Sequence, residues 1–298
     1  MKALDTDLNF LGIEDKDLYS YEKSRFVIQQ IPYEYTSSYL QGSAKGPAAI
    51  VGASHFVEFY DEVLDMETFR HVGIATLPEI NFKGITDVNA VDLIENETSR
   101  LLSDKKFVVS FGAEHTVTFG LVKAHAKSFG NLSVLQLDAH SDLRDSYHGN
   151  KYSHASVMAR VNELGLKICQ VGIRAQCKEE AELIKTSKNI STFYAHQIRN
   201  DKDWTRKATD SLTENVYITI DADGFDPSVV PAVGTAEPGG LFWEETNQLL
   251  QHVVKNKNVV GFDIVEIAPT EGQILSQYTM AKLAYRLMGF IVKKSFMK

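Results

Sequence analysis

Ser133-Val134-Leu135-Gln136-Leu137-Asp138-Ala139-His140-Ser141-Asp142 joins a short apolar run to a tight series of acids and an imidazole. The run reads as a strand over 133–138. If the chain stays extended beyond it, residues 138, 140 and 142 point the same way, because side chains alternate along a strand. The same design returns at Val216-Tyr217-Ile218-Thr219-Ile220-Asp221-Ala222-Asp223, where an apolar run ends in two carboxylates at i and i+2. A third run ends in Phe111-Gly112-Ala113-Glu114-His115, whose glycine permits a tight turn before His115 at the start of a helix.

Working outward, short apolar runs alternate with longer segments of helical period. About eight strands are expected, at 25–31, 71–77, 107–111, 133–138, 167–173, 190–194, 216–221 and 259–266. Helices are expected from Gly46-Pro47 to about Tyr60, over 86–102, 115–129, 155–164, 203–213 and 244–256, and as an amphipathic closing helix over 279–292. This rhythm predicts an α/β fold of three layers, α/β/α, around a mostly parallel sheet. No Pro/Gly/Ser-rich linker and no repeat divides the chain, so 1–298 reads as one domain. In such sheets ligands collect beyond the carboxyl ends of the strands, where the acids and histidines lie.

The 298 residues are 44% hydrophobic and 23% charged, which suits a folded soluble protein and excludes a disordered one. A formal net charge of −8 without a Lys/Arg stripe argues against a nucleic-acid partner and suits cations. Two cysteines, Cys169 and Cys177, are too few for a disulfide framework and read as reduced, structural thiols. The acidic start carries no signal-peptide pattern and no segment reads as a membrane span, so a cytoplasmic protein is expected.

A lone Asp or His at a strand end is ordinarily a turn former or a cap. Bringing Asp138, His140, Asp142, Asp221 and Asp223 into one crevice is a different matter, because the like charges need protons or metals to neutralise them. With His115, four aspartates and two histidines supply the ligands of two divalent ions. The oxygen-rich, thiolate-free set favours manganese ahead of zinc or magnesium.

At this point the sequence resembles the ureohydrolase family of arginases, agmatinases and related amidinohydrolases. The resemblance rests on FGAEHT at 111–116, LDAHSDLRD at 137–145, YSHASVMAR at 152–160, TIDADGFDPSVVPAVGTAEPGG at 219–240 and VGFDIVEIAP at 260–269. The stretch IPYEYTSSYLQGSAKGPAAI at 31–50 also looks agmatinase-like, and Leu143-Arg144-Asp145 stands where arginases carry an asparagine that helps hold arginine. Two departures are modest. Gly112-Ala113 replaces the usual glycine pair, and Thr235-Ala236-Glu237-Pro238 lacks one proline of the agmatinase-like run.

The resemblance implies a binuclear manganese centre held by His115, Asp138, His140, Asp142, Asp221 and Asp223, with Asp138 and Asp221 bridging. It implies that hydroxide generated there attacks the guanidinium carbon of a small cationic substrate while Asp142 orients it, that His154 shuttles the proton to the leaving amine, and that Glu266 anchors the guanidinium. Agmatine, split to putrescine and urea, is the leading substrate, with guanidinobutyrate and arginine as alternatives. It also implies a homo-oligomer, trimer or hexamer. The competing readings are a deacetylase-like amide hydrolase, against which the paired Asp-x-His-x-Asp and Asp-x-Asp motifs argue, and a non-catalytic binding protein.

Overall fold

The computed structural model describes residues 1–295. In chain order its strands are β1 (Phe26–Ile31), β2 (Tyr60–Asp61), β3 (Met66–Glu67), β4 (Ile74–Thr76), β5 (Phe107–Gly112), β6 (Leu132–Leu137), β7 (Lys167–Ile173), β8 (Ile190–Tyr194), β9 (Asn215–Asp221) and β10 (Asn258–Val265). Its helices are α1 (Lys16–Tyr19), α2 (Gly46–Ser54), α3 (Thr68–Val72), α4 (Asp87–Ser103), α5 (Val117–Ser128), α6 (Val157–Glu163), α7 (Lys178–Thr186), α8 (Ala195–Ile198), α9 (Trp204–Ser211), α10 (Trp243–Asn256) and α11 (Leu275–Ser295).

Eight strands build one sheet in the order β4-β1-β5-β10-β9-β6-β7-β8, and every pairing in it is parallel. The expected "mostly" parallel sheet is thus wholly so, and the antiparallel β2–β3 hairpin stands apart from it. A parallel sheet covered on both faces needs apolar residues on both, which is why its strands read as unbroken runs. Val109, Leu135, Ile218, Phe262 and Ile264 pack with Ile50 of α2, Trp204 of α9, Leu249 and Leu250 of α10 and Leu287 of α11. On the opposite face Val134, Ile168, Tyr217 and Val260 pack with Ile94 of α4, Leu121 of α5 and Met158 of α6. Fully burying one such side chain contributes about 1.5–3 kcal/mol over leaving it exposed.

Three expectations need correction. Residues 71 and 72 belong to α3, so the strand expected over 71–77 narrows to 74–76. The helix expected to about Tyr60 stops at Ser54, because the chain turns there into the β2–β3 hairpin; Pro47 does sit in its first turn. The closing helix runs over 275–295 and is buried almost all round from Met280 to Val292, so it is a core helix rather than an amphipathic one.

Order in the sheet positions the site. β5 and β6 are consecutive in the chain yet lie apart, with β10 and β9 between them. Their four carboxyl ends therefore stand side by side at the reversal of strand order, where a crevice opens in this class of sheet.

Candidate metal centre

Each of those four ends delivers a predicted residue: His115 follows β5, Glu266 follows β10, Asp221 closes β9 and Asp138 follows β6. The expectation that the chain stays extended through 138–142 fails at Asp142, whose φ is +53°. That left-handed residue still brings its carboxylate back to the others, and its carbonyl is held by the amides of Met158 and Ala159. Glu266 is also left-handed, at φ +65°. Non-glycine residues in this region carry strain of order 1–3 kcal/mol, and both occur at this crevice.

Gly112 also differs from expectation. It is not a positive-φ turn residue; a Cβ there would stand 2.9 Å from Val265 Cγ1 and closer still to Val117, so the need is for space. Ala113, the departure from the glycine pair, avoids positive φ, donates to the Ile31 carbonyl and accepts from the Glu266 amide at 2.7 Å. A side chain is therefore accommodated at 113.

The acids fall into two groups around a shared member. Nδ1 of His115 lies 3.1 Å from Asp138 Oδ2, 3.0 Å from Asp142 Oδ2 and 3.3 Å from Asp221 Oδ2. Nδ1 of His140 lies 3.0 Å from Asp223 Oδ2 and 3.8 Å from Asp138 Oδ1. His115, Asp138 and Asp142 form one set able to surround an ion, and Asp138, His140 and Asp223 the other. Asp138 thus presents a different oxygen to each set.

These residues fit divalent ions on the chemistry of their donors. Nδ1 of His115 is fully buried and makes no hydrogen bond of acceptable geometry, although three carboxylates crowd it. Its other nitrogen, Nε2, lies 2.9 Å from Thr219 Oγ1, whose hydroxyl donates to Asp263 Oδ1 at 2.7 Å. With that proton committed, Thr219 accepts from Nε2–H, which leaves Nδ1, on the side of the acids, as the atom that would bind an ion once it gives up its proton. This is how a metal-ligating histidine is ordinarily oriented.

Electrostatics agree. Burial, then the charges of Asp223 and Asp138, drive Asp221 well above the carboxylate range, while burial followed by Asp138 pushes Asp142 up to about 7. Burial also raises Asp138. For His140, burial works downward but the Asp223 carboxylate overrides it and takes the ring up to about 11. Burial depresses His115 too, and its carboxylate partners more than reverse it. Asp223 goes the other way: burial works upward, but the neighbouring His140 overrides it and holds the carboxyl low. Crowded like charges of this kind are what bound cations would relieve.

A cavity of about 180 Å³ opens over the acids, lined among others by His154, Glu266, Arg144 and Tyr147. Glu266 is pushed well up by burial and then by Glu114, and one of its oxygens accepts the His115 amide at 2.7 Å. His154 sits at the other wall. Its Nδ1 lies 3.0 Å from Thr36 Oγ1 and its Nε2 3.3 Å from Ser38 Oγ, and burial, then the neighbouring His140, lowers it to about 4.

All eight predicted residues converge here. The sequence reading missed Thr36 and Ser38, which lie in the quoted 31–50 stretch, and Glu114, whose carboxylate accepts the amides of Tyr35 and Thr36 and so seats that stretch against the site. It also gave no role to Thr235 in the loop after β9, which donates to Asp223 Oδ2 at 3.1 Å and lines the cavity.

Comparison with known proteins finds close similarity along nearly the whole chain. The chain is 40% identical over 284 residues to the N(1)-aminopropylagmatine ureohydrolase of Synechocystis sp., covering 93% of this chain and 92% of that one. It is 34% identical to the agmatinase of Bacillus cereus, over 84% of this chain and 86% of that one. The agmatine ureohydrolase of Thermoplasma volcanium superposes with a TM-score of 0.82 at 31% identity, covering 98% of this chain and 95% of the other. The Arginase family profile matches residues 24–289, and the chain belongs to the Arginase family.

Proposed function

We propose that this protein is a metal-dependent ureohydrolase of the agmatinase type that removes urea from a guanidino-alkyl amine. The observation that carries the reading is the pair of ligand sets sharing Asp138 beneath a cavity that also holds Glu266 and His154. His115, Asp138, Asp142 and Asp221 would hold one ion, Asp138, His140, Asp221 and Asp223 the other, with manganese the metal the donors favour. Bound there, such ions supply Lewis-acid polarisation and a water acidic enough to ionise near neutral pH.

The remaining work belongs to side chains. Glu266, half-buried at the cavity wall and beside the Glu114 carboxylate, gains from a guanidinium that pairs with it, and this contact fixes the substrate carbon over the acids. Asp142 orients the attacking oxygen by accepting its proton in a hydrogen bond. His154, neutral at pH 7 and framed by two hydroxyls, carries a proton between solvent and the leaving nitrogen. The amine departs protonated and urea remains.

Agmatine and N(1)-aminopropylagmatine share the same reacting end. Relatives with the second name reach 34–40% identity, which favours the longer amine. Arg144 supports a second reading, because a cation lining the cavity would meet the carboxylate of guanidinobutyrate. Urea release from manganese-loaded protein, offered these three compounds and arginine separately, decides. The highest kcat/KM should fall on an agmatine-type amine, and preference for a guanidino acid would transfer the assignment.

A further inference from the structure

Below the acids, one polar residue occupies the same register position on seven consecutive strands. Gln29 of β1 pairs with Ser110 of β5, Ser110 with Asp263 of β10, Asp263 with Thr219 of β9, Thr219 with Gln136 of β6, Gln136 with Gln170 of β7, and Gln170 with Thr192 of β8. Parallel partners in register point to the same face, so these side chains form one row inside the sheet's packing against α4 and α5. All but Thr192 are buried. A buried polar row carries a desolvation cost that apolar strands would avoid.

One arm of the row runs through directional contacts to Asp138. The Thr192 hydroxyl donates to Gln170 Oε1 at 2.9 Å, Gln170 Nε2 donates to Gln136 Oε1 at 2.7 Å, and Gln136 Nε2 donates to Asp138 Oδ2 at 2.7 Å. An amide has a donor end and an acceptor end, so each link sets the polarity of the next. The Ser141 carbonyl, which can only accept, takes Gln170 Nε2 at 2.8 Å and so turns the NH2 group of Gln170 towards Gln136, while the Thr192 hydroxyl serves the Gln170 oxygen; Gln136 must then present its own NH2 to the carboxylate. Asp138 Oδ2 is the oxygen nearest His115, and Oδ1 is held by the His140 amide at 2.6 Å. The shared carboxylate is fixed through both oxygens.

We propose that Gln136 and Gln170 are positioning residues for the metal centre, orienting Asp138 so that one oxygen serves each ion, with Thr192 completing the relay by donating to Gln170. The proposal rests on the metal-centre reading above. It differs from a purely structural role, to which the contacts of Gln136 Nε2 with the His140 carbonyl and of Gln170 Nε2 with the Ser141 carbonyl would equally belong.

The test uses full-length protein stripped with a chelator and titrated with manganese(II) chloride, free ion being followed by its paramagnetic resonance. Gln136→Met should weaken manganese binding by about 10- to 100-fold, as outer-shell losses do. Gln170→Met should weaken it less, and the double variant no more than Gln136→Met alone, since Gln170 acts through Gln136. Thr192→Val, at a half-buried edge position, should weaken binding by a few-fold and keeps the test open if a glutamine variant does not fold. Wild-type affinity in Gln136→Met or, where that variant fails to fold, in Thr192→Val overturns the relay. So does additivity of the two glutamine losses, or a lower melting temperature without loss of affinity. Failure of the wild-type protein to take up manganese overturns the metal-centre reading and the relay together.

Discussion

Thr219 Oγ1 stands 2.9 Å from Nε2 of His115 and decides which ring nitrogen faces the acids. Replacing Thr219 with Val keeps the shape and removes the hydroxyl. It should weaken manganese binding roughly 10- to 100-fold and lower stability by about 1–3 kcal/mol, because Asp263 loses a donor and Nε2 an acceptor. Thr219→Ser should retain most of both. Metal titration and thermal melting of the two variants check this, and equal behaviour of Val and Ser would show that the hydroxyl is idle.

His154 touches hydroxyls rather than the acids. His154→Ala should therefore bind manganese like the parent while kcat falls by about 10²–10⁴, the usual worth of a positioned proton carrier. Steady-state kinetics beside metal analysis reads this out; a variant that loses its metal would move His154 into the ligand set.

Protons compete with metal for this cluster. Burial, then Asp138, lifts Asp142 to about 7, and Asp138 and Asp221 are raised as well. A raised carboxylate pKa means the protonated form persists to higher pH, and ligation needs the ionised form, so metal affinity falls as pH drops. Between pH 8 and pH 6 the loss from Asp142 alone should be roughly tenfold, and the raised Asp138 and Asp221 act in the same direction. Manganese dissociation constants at the two values test it; a pH-independent constant contradicts it.

Arg174 fastens the loop that carries Asp223. Its guanidinium donates to the carbonyls of Asp223 at 2.6 Å and Glu237 at 2.7 Å, and to those of Gly224, Phe225 and Pro238. Arg174→Lys cannot reproduce a planar fork meeting several carbonyls. It should lower the melting temperature and reduce manganese affinity, whereas loss of neither would detach the loop from the site.

Much of this was legible because parallel strands buried on both faces announce themselves as apolar runs, and because Asp138 and Asp221 sit at the ends of two of them. What stayed hidden depends on tertiary contact. Helix α7 is short and strongly polar, with Ala181, Leu183 and Ile184 as its apolar residues and Glu180 as its buried one, so few side chains announce it. Residues 71–72 look strand-like but complete a short helix that ends at Gly73, whose φ is +62°. Thr36, Ser38 and Thr235 lie on loops whose path no local rule fixes. The polar row did leave a trace, a single Gln, Ser, Thr or Asp inside otherwise apolar strands, but its meaning emerges only once the register aligns Gln136 with Gln170 and Thr219.

The bridging role assigned to Asp138 and Asp221 gives a paired prediction. Asp138→Asn or Asp221→Asn should lose metal occupancy and urea release together, because an amide supplies neither the charge nor two equivalent oxygens. Full activity in Asp221→Asn would remove it from the centre.

The most direct test of the two-ion centre is the number of manganese ions bound per chain at saturation, measured on stripped and reloaded protein. Two ions per chain, with urea released from an agmatine-type amine by the loaded protein, is the predicted result; one ion per chain, or two without urea from any guanidino compound, contradicts it.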